Sequence, residues 1–174
     1  IMNKKVFLIG MMGAGKTSIG LALSKIVGMS FLDVDNLIGS DNYILKNGIE
    51  EFRNIEEKEL LKIDSLNKDL IISVGGGAIL SSLNKEIMKK NYCIYLEASM
   101  HILLDRVSNQ DVFRPLIQSQ RNGHINIDVF TELFNDRAQI YHDIADLVIN
   151  TNNQTIVDSA QIIKEKLIKN EIIN

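Results

Sequence analysis

The segment Gly10–Thr17 constrains the fold more than any other part of this sequence. It reads G-M-M-G-A-G-K-T and fits the pattern G-x-x-x-x-G-K-[ST] at every fixed position. The apolar run 6–9 precedes it, and apolar residues at helical spacing follow it as far as Gly28. A strand, a glycine loop and a helix in this order predict a phosphate-binding loop, whose backbone N–H groups face a polyphosphate.

Individual residues of this loop have expected roles. Lys16 is expected to reach the β- and γ-phosphates of a nucleotide, and the Thr17 hydroxyl to take a ligand position on Mg²⁺. A plain glycine turn between a strand and a helix is the alternative interpretation. The predicted ATP contacts here are Gly13, Ala14, Gly15, Lys16, Thr17 and Ser18.

Two carboxylates, Asp33 and Asp35, close the next apolar stretch. The pattern predicts a strand over 31–35, in which residues two apart share one face of the sheet. Such a pair is costly to bury without a cation, and the phosphate-binding loop gives a reason for Mg²⁺ nearby. A solvated turn at the end of a strand is the alternative, and residues 36–47 are predicted to be irregular.

The sequence surroundings of two arginines, Arg53 and Arg137, raise the question of which anion each one pairs with. Arg53 lies three residues before Glu56 on a helix predicted over 48–66, and from the pattern alone this is an ordinary surface ion pair. Arg137 falls inside the apolar stripe of a later helix. Because a buried guanidinium needs an anion, Arg137 requires either a protein carboxylate or a ligand, and its spacing leaves both open.

Two further segments suggest ligand contact. The apolar strand 70–74 runs directly into Gly75–Gly77, and consecutive glycines there favour a backbone that lies close to a ligand, with a flexible turn as the alternative. The polar segment 108–126 contains Arg114 and has the composition of a lid or binding loop. Arg114 is therefore either a phosphate-contacting residue delivered by closure or a solvated basic residue.

Composition limits the classes of protein that this chain can belong to. With 174 residues, 45% of them hydrophobic, one core and a single domain over 1–174 are expected. A net charge of −3 gives no general attraction to nucleic acid or to an anionic membrane, and no apolar run approaches the roughly 18 residues of a membrane span. Cys93, the single cysteine, sits in an apolar run, which predicts a buried core residue and fits a reducing cytoplasm. His101, His124 and His142 are expected at the surface.

The order of elements predicts the fold class. Apolar strands alternate with amphipathic helices, which indicates a doubly wound, five-stranded parallel sheet with helices on both faces, like that of nucleoside monophosphate kinases. Ligands are expected beyond the carboxyl ends of the strands, where the loop, the aspartates and the triple glycine all fall. A GTPase is disfavoured because no N-K-x-D motif is present.

These motifs together resemble those of the shikimate kinases, over essentially the whole chain. Six motifs match in order: Gly10–Thr17 as Walker A, Asp33–Asp35 as D-x-D, Gly48–Glu56 as G-E-x-x-F-R-x-x-E, Gly75–Gly77, Arg114–Leu116 as the lid motif, and Arg137–Tyr141 as R-x-x-x-Y. The resemblance implies ATP-dependent phosphorylation of the shikimate 3-hydroxyl to give shikimate 3-phosphate and ADP. This reaction belongs to the pathway to chorismate and the aromatic amino acids.

The resemblance also implies residue roles. Thr17 and, through water, Asp33 serve Mg²⁺, while Asp35 holds and activates the shikimate hydroxyl. Arg53 and Arg137 acquire a shared partner, the substrate carboxylate. The implied catalytic residues are Lys16, Asp35 and Arg114, and the implied shikimate contacts are Asp35, Arg53, Gly76, Gly77 and Arg137.

The sequence departs from the family pattern in two places. The interval from Asp35 to Arg53 is several residues shorter than usual and Ile49 replaces a glutamate, which predicts a trimmed substrate-covering helix. The adenine-side loop lacks the usual arginine or proline and leaves Gln154 as the candidate ATP contact.

The expected protein is a cytoplasmic monomer with shikimate and ATP as its partners. The alternatives are another small P-loop kinase, acting on gluconate or a nucleoside monophosphate, and a nucleotide-dependent switch that binds ATP without transferring its phosphate. The first alternative does not require two arginines directed at a carboxylate together with the triple glycine, and the intact Lys16, Asp35 and Arg114 argue against the second.

Overall fold

The computed structural model describes residues 3–110, 113–118 and 123–173. Their five strands form one all-parallel sheet in the order β2-β3-β1-β4-β5, which confirms the predicted fold class. The strands are β1 (Lys5–Ile9), β2 (Ser30–Asp33), β3 (Leu70–Ser73), β4 (Tyr92–Glu97) and β5 (Leu147–Asn150). The central position of β1 places the loop after it, Gly10–Gly15, at the middle of the carboxyl edge.

Helices cover the sheet. They are α1 (Lys16–Val27), α2 (Val34–Ile38), α3 (Ser40–Asn47), α4 (Ile49–Ser65), α5 (Ser82–Lys90), α6 (Met100–Ser108), α7 (Ile127–Ile144) and α8 (Ile156–Lys169). All five residues of β1 are buried, although successive side chains point to opposite faces. Both faces of the sheet are therefore packed, as a parallel sheet requires. None of the helices in the described ranges is long and apolar enough to cross a membrane.

The region after β2 is more helical than predicted. The strand ends at Asp33, and Asp35 lies in the first turn of α2, so the prediction that both aspartates share one strand face was wrong. The Asp33 side chain accepts a hydrogen bond from the Asn36 backbone N–H at 3.0 Å and caps α2. The helices α2 and α3 also occupy most of 36–47, which was predicted to be irregular; Gly39, with φ of 70°, separates them.

Two smaller differences concern helix boundaries. The helix α4 ends at Ser65, one residue before its predicted end, and Leu66 is 44% exposed. The buried face of the helix includes Leu60 and Glu56. The helix α5 was not predicted; Ser81 caps it by accepting a hydrogen bond from the Asn84 backbone N–H at 3.2 Å.

The predictions for cysteine and histidine agree with the structure. Cys93 is fully buried in β4, and burial raises the pKa of its thiol. All three histidines, His101, His124 and His142, are exposed.

Candidate active site

A cavity of about 340 Å³ opens at the carboxyl edge of the sheet, beyond β1, β2 and β3. It brings together most of the residues that the sequence singled out. Those lining it include Gly13, Gly15, Lys16, Thr17, Ser18, Asp33, Asp35, Arg53, Gly75, Gly76, Gly77, Arg114 and Arg137. Ala14 is buried within the loop, and neither it nor Gln154 lines the cavity.

The loop after β1 is shaped by its glycines. Gly13 and Gly15 have φ of 83° and 89°, a left-handed conformation that side-chain-bearing residues rarely adopt. Lys16 begins α1 and donates hydrogen bonds from Nζ to the Gly10 and Met11 carbonyl oxygens, at 2.9 and 3.0 Å. Burial lowers the pKa of Lys16 to about 8, against the opposing attraction of Asp35. The ammonium group is thus held at the loop, facing a cavity that contains carboxylates.

Two oxygen ligands lie side by side next to this loop. The Thr17 hydroxyl donates to Asp33 Oδ2 at 2.6 Å, and Asp33 Oδ1 is the acceptor that caps α2. In the described ranges no group of three or more His, Cys, Asp or Glu side chains could hold a metal by itself. A hydroxyl beside one carboxylate suits a hard cation that keeps water and phosphate ligands, as Mg²⁺ does.

Two carboxyl groups flank Gly75. A Cβ atom on this glycine would lie 2.8 Å from Asp35 Oδ1 and 2.9 Å from Glu56 Oε1, so a side chain there would displace both acids. Burial raises the pKa of Asp35, while Lys16 acts in the opposite direction. Burial also raises the pKa of Glu56, to about 7, with Arg53 opposing it. The two acids beside Gly75 therefore retain their protons more tightly than in water. For Asp35, which lines the cavity, this suits a group that must accept a proton.

Arg53 is fixed between Glu56 and the triple glycine. Its Nη1 contacts Glu56 Oε2 at 2.7 Å, and the Glu56 side chain is fully buried, so the interpretation of this pair as an ordinary surface pair was wrong. The Arg53 guanidinium also lies so close to Gly77 that any Cβ there would overlap Nη2. One oxygen of Glu56, Oε1, is buried and has no hydrogen-bond partner among the described residues.

Arg137 lies on the other side of the same glycines. Its residue is only 3% exposed, and within the described part of the chain it forms no ion pair with a carboxylate. Burial lowers the pKa of the Arg137 guanidinium, and its contact with Tyr141 acts in the opposite direction. Of the two partners that the sequence left open, a ligand anion is the one that the described residues favour.

Arg114 borders the cavity from the segment predicted to be a lid. Its Nη2 donates to Gln110 Oε1 at 2.6 Å, and its buried Nε has no partner among the described residues. Burial lowers the pKa of Arg114, and Asp41 and Asp35 oppose this. Of the predicted lid 108–126, residues 111–112 and 119–122 lie outside the described residues. Asp41, on α3, also lines the cavity and was missed because its sequence surroundings are merely polar.

Arg106 is a second residue that the sequence analysis missed. From α6 it donates to the Gly13 carbonyl oxygen at 3.4 Å, to Thr151 Oγ1 at 3.1 Å and to the Thr151 carbonyl oxygen at 2.6 Å. It thereby ties the phosphate-binding loop to the turn after β5. A single arginine near the end of an amphipathic helix carries no signal of this. Gln154 accepts a hydrogen bond from Ser159 Oγ at 3.1 Å, and its contact with ATP stays a prediction.

The fold and this site together define a class of protein. A phosphate-binding loop, a hydroxyl–carboxylate pair, the carboxyl group of Asp35 and three arginines surround one cavity at the carboxyl edge of a parallel sheet. This is the arrangement of a P-loop kinase that acts on a small molecule.

Comparison with known proteins identifies the family. A family model described as shikimate kinase matches residues 12–168, and the chain belongs to the shikimate kinase family. It is 33% identical over 180 residues to a shikimate kinase of Francisella tularensis subsp. novicida (strain U112), covering 99% of both chains. It also resembles the solved structure of an Acinetobacter baumannii shikimate kinase in complex with shikimate, with a TM-score of 0.85 and 31% identity. The match covers 97% of this chain and 95% of that one.

The chain is therefore a transferase with the family's activity, the ATP-dependent phosphorylation of shikimate, as the motifs implied. A gluconokinase from Sinorhizobium meliloti 1021 is more distant, with a TM-score of 0.63 and 16% identity over 98% of this chain and 96% of its own. That likeness shows a shared fold alone.

Proposed function

We propose that this cavity transfers the γ-phosphoryl group of ATP to the 3-hydroxyl of shikimate, with Arg53 and Arg137 binding the substrate carboxylate. One observation carries the proposal. The two guanidiniums meet at consecutive glycines: Arg53 lies against Gly77, and Arg137 Nη1 lies 3.5 Å from the position of a Cβ on Gly76. Two planar guanidiniums on one backbone segment provide the donors for a carboxylate held by paired hydrogen bonds.

The proposal assigns a role to each remaining group. Lys16 stabilises charge on the phosphates, Asp35 orients the shikimate hydroxyl and accepts its proton, and Arg114 contacts the transferring phosphate. Gly76 and Gly77 contact the ring through their backbone. The proposed ATP contacts are the loop residues Gly13, Ala14, Gly15, Lys16, Thr17 and Ser18, with Arg114 and, near the base, Gln154.

Mg²⁺ fits beside the phosphate-binding loop. Thr17 would hold it directly and Asp33 through water, which agrees with the hydrogen bond between these two side chains. When bound, Mg²⁺ neutralises part of the polyphosphate charge and orients the phosphates. We further propose a single domain over 1–174, which the one five-stranded sheet of the described residues supports, and a monomer that works in the cytoplasm.

A coupled ADP-release assay tests the proposal. Shikimate, gluconate and nucleoside monophosphates are offered in turn with ATP and Mg²⁺, and rapid ADP release is expected with shikimate only. Turnover with gluconate or a nucleoside monophosphate instead would reject the assignment. A switch protein would bind ATP and release no additional ADP with any acceptor, and ATP binding measured in parallel separates that outcome from an inactive preparation.

A further inference from the structure

Tyr141 reaches the triple glycine from the helix that carries Arg137. Its hydroxyl donates a hydrogen bond to the Gly76 carbonyl oxygen at 2.5 Å, and the residue is fully buried. Tyr141 lies one helical turn after Arg137 on α7, so both side chains leave the same face of the helix. The hydroxyl thus links the proposed carboxylate-binding helix to the proposed ring-binding backbone.

The Arg137 guanidinium and the Tyr141 hydroxyl meet at Gly76. A Cβ on that glycine would lie 3.4 Å from Tyr141 Oη and 3.5 Å from Arg137 Nη1. Burial lowers the pKa of Arg137, and the attraction of the neighbouring Tyr141 side chain opposes this. A phenol hydroxyl donates one hydrogen bond, and here the acceptor is the Gly76 carbonyl oxygen. The lone pairs of the phenol oxygen therefore remain available to accept a hydrogen bond from the guanidinium.

The tyrosine ring cannot easily change position. The Tyr95 ring stacks on it, with centroids 5.0 Å apart and an interplanar angle of 23°, and Tyr95 itself meets the His142 ring edge-on at 5.0 Å. Stacked aromatic rings in a packed interior keep one orientation. The hydroxyl is therefore a fixed point against which both Gly76 and Arg137 are set.

We propose that Tyr141 is a positioning residue for shikimate binding, which holds the Arg137 guanidinium and the Gly76 backbone in one geometry. This inference rests on the proposed roles of Arg137 and Gly76. It deepens the proposed function because Tyr141 acts through these two residues. Without the hydroxyl, the charge of Arg137 remains, but its direction relative to Gly76 is no longer set.

The test compares Tyr141→Phe with a matched control, Tyr95→Phe. Both variants remove one hydroxyl from a buried tyrosine in the same stacked pair, and the Tyr95 hydroxyl has no hydrogen bond among the described residues. For Tyr141→Phe we expect the shikimate KM to rise about tenfold, with kcat and the ATP KM changed by less than about twofold. For Tyr95→Phe all three constants should stay at the wild-type values.

A double-variant cycle with Arg137→Lys distinguishes positioning from general support of the fold. If the hydroxyl acts through the guanidinium, Tyr141→Phe adds little to the KM of Arg137→Lys, because the pair is already broken. An unchanged shikimate KM in Tyr141→Phe, or effects that simply add, would overturn the inference. A shikimate KM that Arg137→Lys itself leaves unchanged would reject the proposed carboxylate site, which is a separate failure.

A second variant tests the inference in case Tyr141→Phe is too unstable to assay. A ring-fluorinated tyrosine placed at 141 keeps the shape and the donor to Gly76 while weakening the lone pairs that face Arg137. We expect it to melt like the wild type and to raise the shikimate KM without changing the ATP KM. If this variant is stable and its shikimate KM is unchanged, the hydroxyl does not position Arg137.

Discussion

At the residue scale, two buried charged side chains, Glu56 and Arg137, lie beside the glycines of the proposed site. Glu56 is fully buried and Arg137 nearly so, and each would be destabilising if its partners were only apolar neighbours. Glu56 is paired with Arg53, whereas Arg137 meets a phenol and a glycine backbone. Such local conflicts with packing are expected where a ligand completes the site.

The first prediction concerns Lys16. Lys16→Ala should lower phosphoryl transfer by at least about two to three orders of magnitude, because the ammonium group supplies charge to the phosphates. The fold should persist, since the loop geometry belongs to the glycines. The measurement is kcat together with the melting temperature, and Lys25→Ala, an exposed position on the same helix, is the control. Near-normal turnover would contradict the role of Lys16.

The second prediction concerns Arg137. Lysine keeps the charge but loses the planar fork, so Arg137→Lys should weaken shikimate binding by about 2–5 kcal/mol with little change in the ATP KM. A shikimate analogue with a neutral group in place of the carboxylate should bind both proteins similarly weakly. Equal losses with shikimate and the analogue would show that Arg137 supports the fold and does not bind the carboxylate.

At the scale of elements, strand ends and the segments after them assemble the site. β3 is fully buried, and the glycines that follow it pass between Asp35, Glu56, Arg53 and Arg137. The absence of a Cβ at these positions allows charged groups from α2, α4 and α7 to approach one backbone. A run of three glycines is therefore a packing requirement here, as well as a way for the backbone to approach a ligand.

The third prediction tests that requirement. In Gly77→Ala the new methyl group would overlap the Arg53 guanidinium, the end of a flexible side chain, so Arg53 should move while the fold remains. Gly77 has φ of −101°, so alanine introduces no backbone strain. We expect a rise of about tenfold or more in the shikimate KM and a melting temperature within a few degrees of wild type.

The control for Gly77→Ala is the double variant with Arg53→Ala. In that background the methyl group has no guanidinium to displace, so it should add little to the KM. A full additional loss would mean that Gly77 acts by contacting the substrate alone.

The fourth prediction concerns the lid. Several bonds within the segment hold its described part, among them Asn126 N–H to the Ile117 carbonyl oxygen at 2.7 Å and an isolated bridge between Gln118 and Ile125. Amide hydrogen exchange in peptides that cover 113–118 should slow when an ATP analogue is added, because closure protects the backbone. Peptides from α8 serve as the internal control. Unchanged exchange at 113–118 would argue against closure on nucleotide.

At the scale of the whole molecule, the buried acids couple stability to pH. Glu56 has a pKa of about 7 in the folded protein against 4.5 ordinarily, so the folded state binds its proton more tightly. This tighter proton binding stabilises the folded state in full below the pKa that Glu56 has in the unfolded chain. The contribution, about 3 kcal/mol in all, is lost as the pH rises toward 7. The raised pKa of Asp35 acts in the same direction.

The fifth prediction follows from this sign. In Glu56→Gln the free energy of unfolding should fall less steeply between pH 5 and 7 than in the wild type, because one of the two groups no longer titrates. Chemical denaturation across this range measures the slope. Glu86→Gln, at an exposed position on α5, should retain the wild-type slope. A wild-type slope in Glu56→Gln as well would show that Glu56 is ionised in the folded state.

The sequence by itself determined the fold class and indicated most of the residues that line the cavity. The period of the apolar residues and the glycine motif are local properties, and β1, its loop and α1 follow from them directly. The family likewise follows from short motifs in a fixed order, which the comparisons confirm. Spacing along the chain is enough for such inferences because each motif acts within a few residues.

The tertiary structure alone decided how these residues meet. Local pattern placed Asp35 on a strand, whereas capping of α2 by Asp33 moves it into a helix. Pattern left Arg137 with two possible partners and gave no sign of Arg106 or of Tyr141 beside Gly76. These contacts join elements far apart in the chain, 93 residues for Arg106 and Gly13 and 65 for Tyr141 and Gly76. Such contacts arise because a parallel sheet gathers the ends of its strands at one edge, a three-dimensional arrangement that no local period encodes.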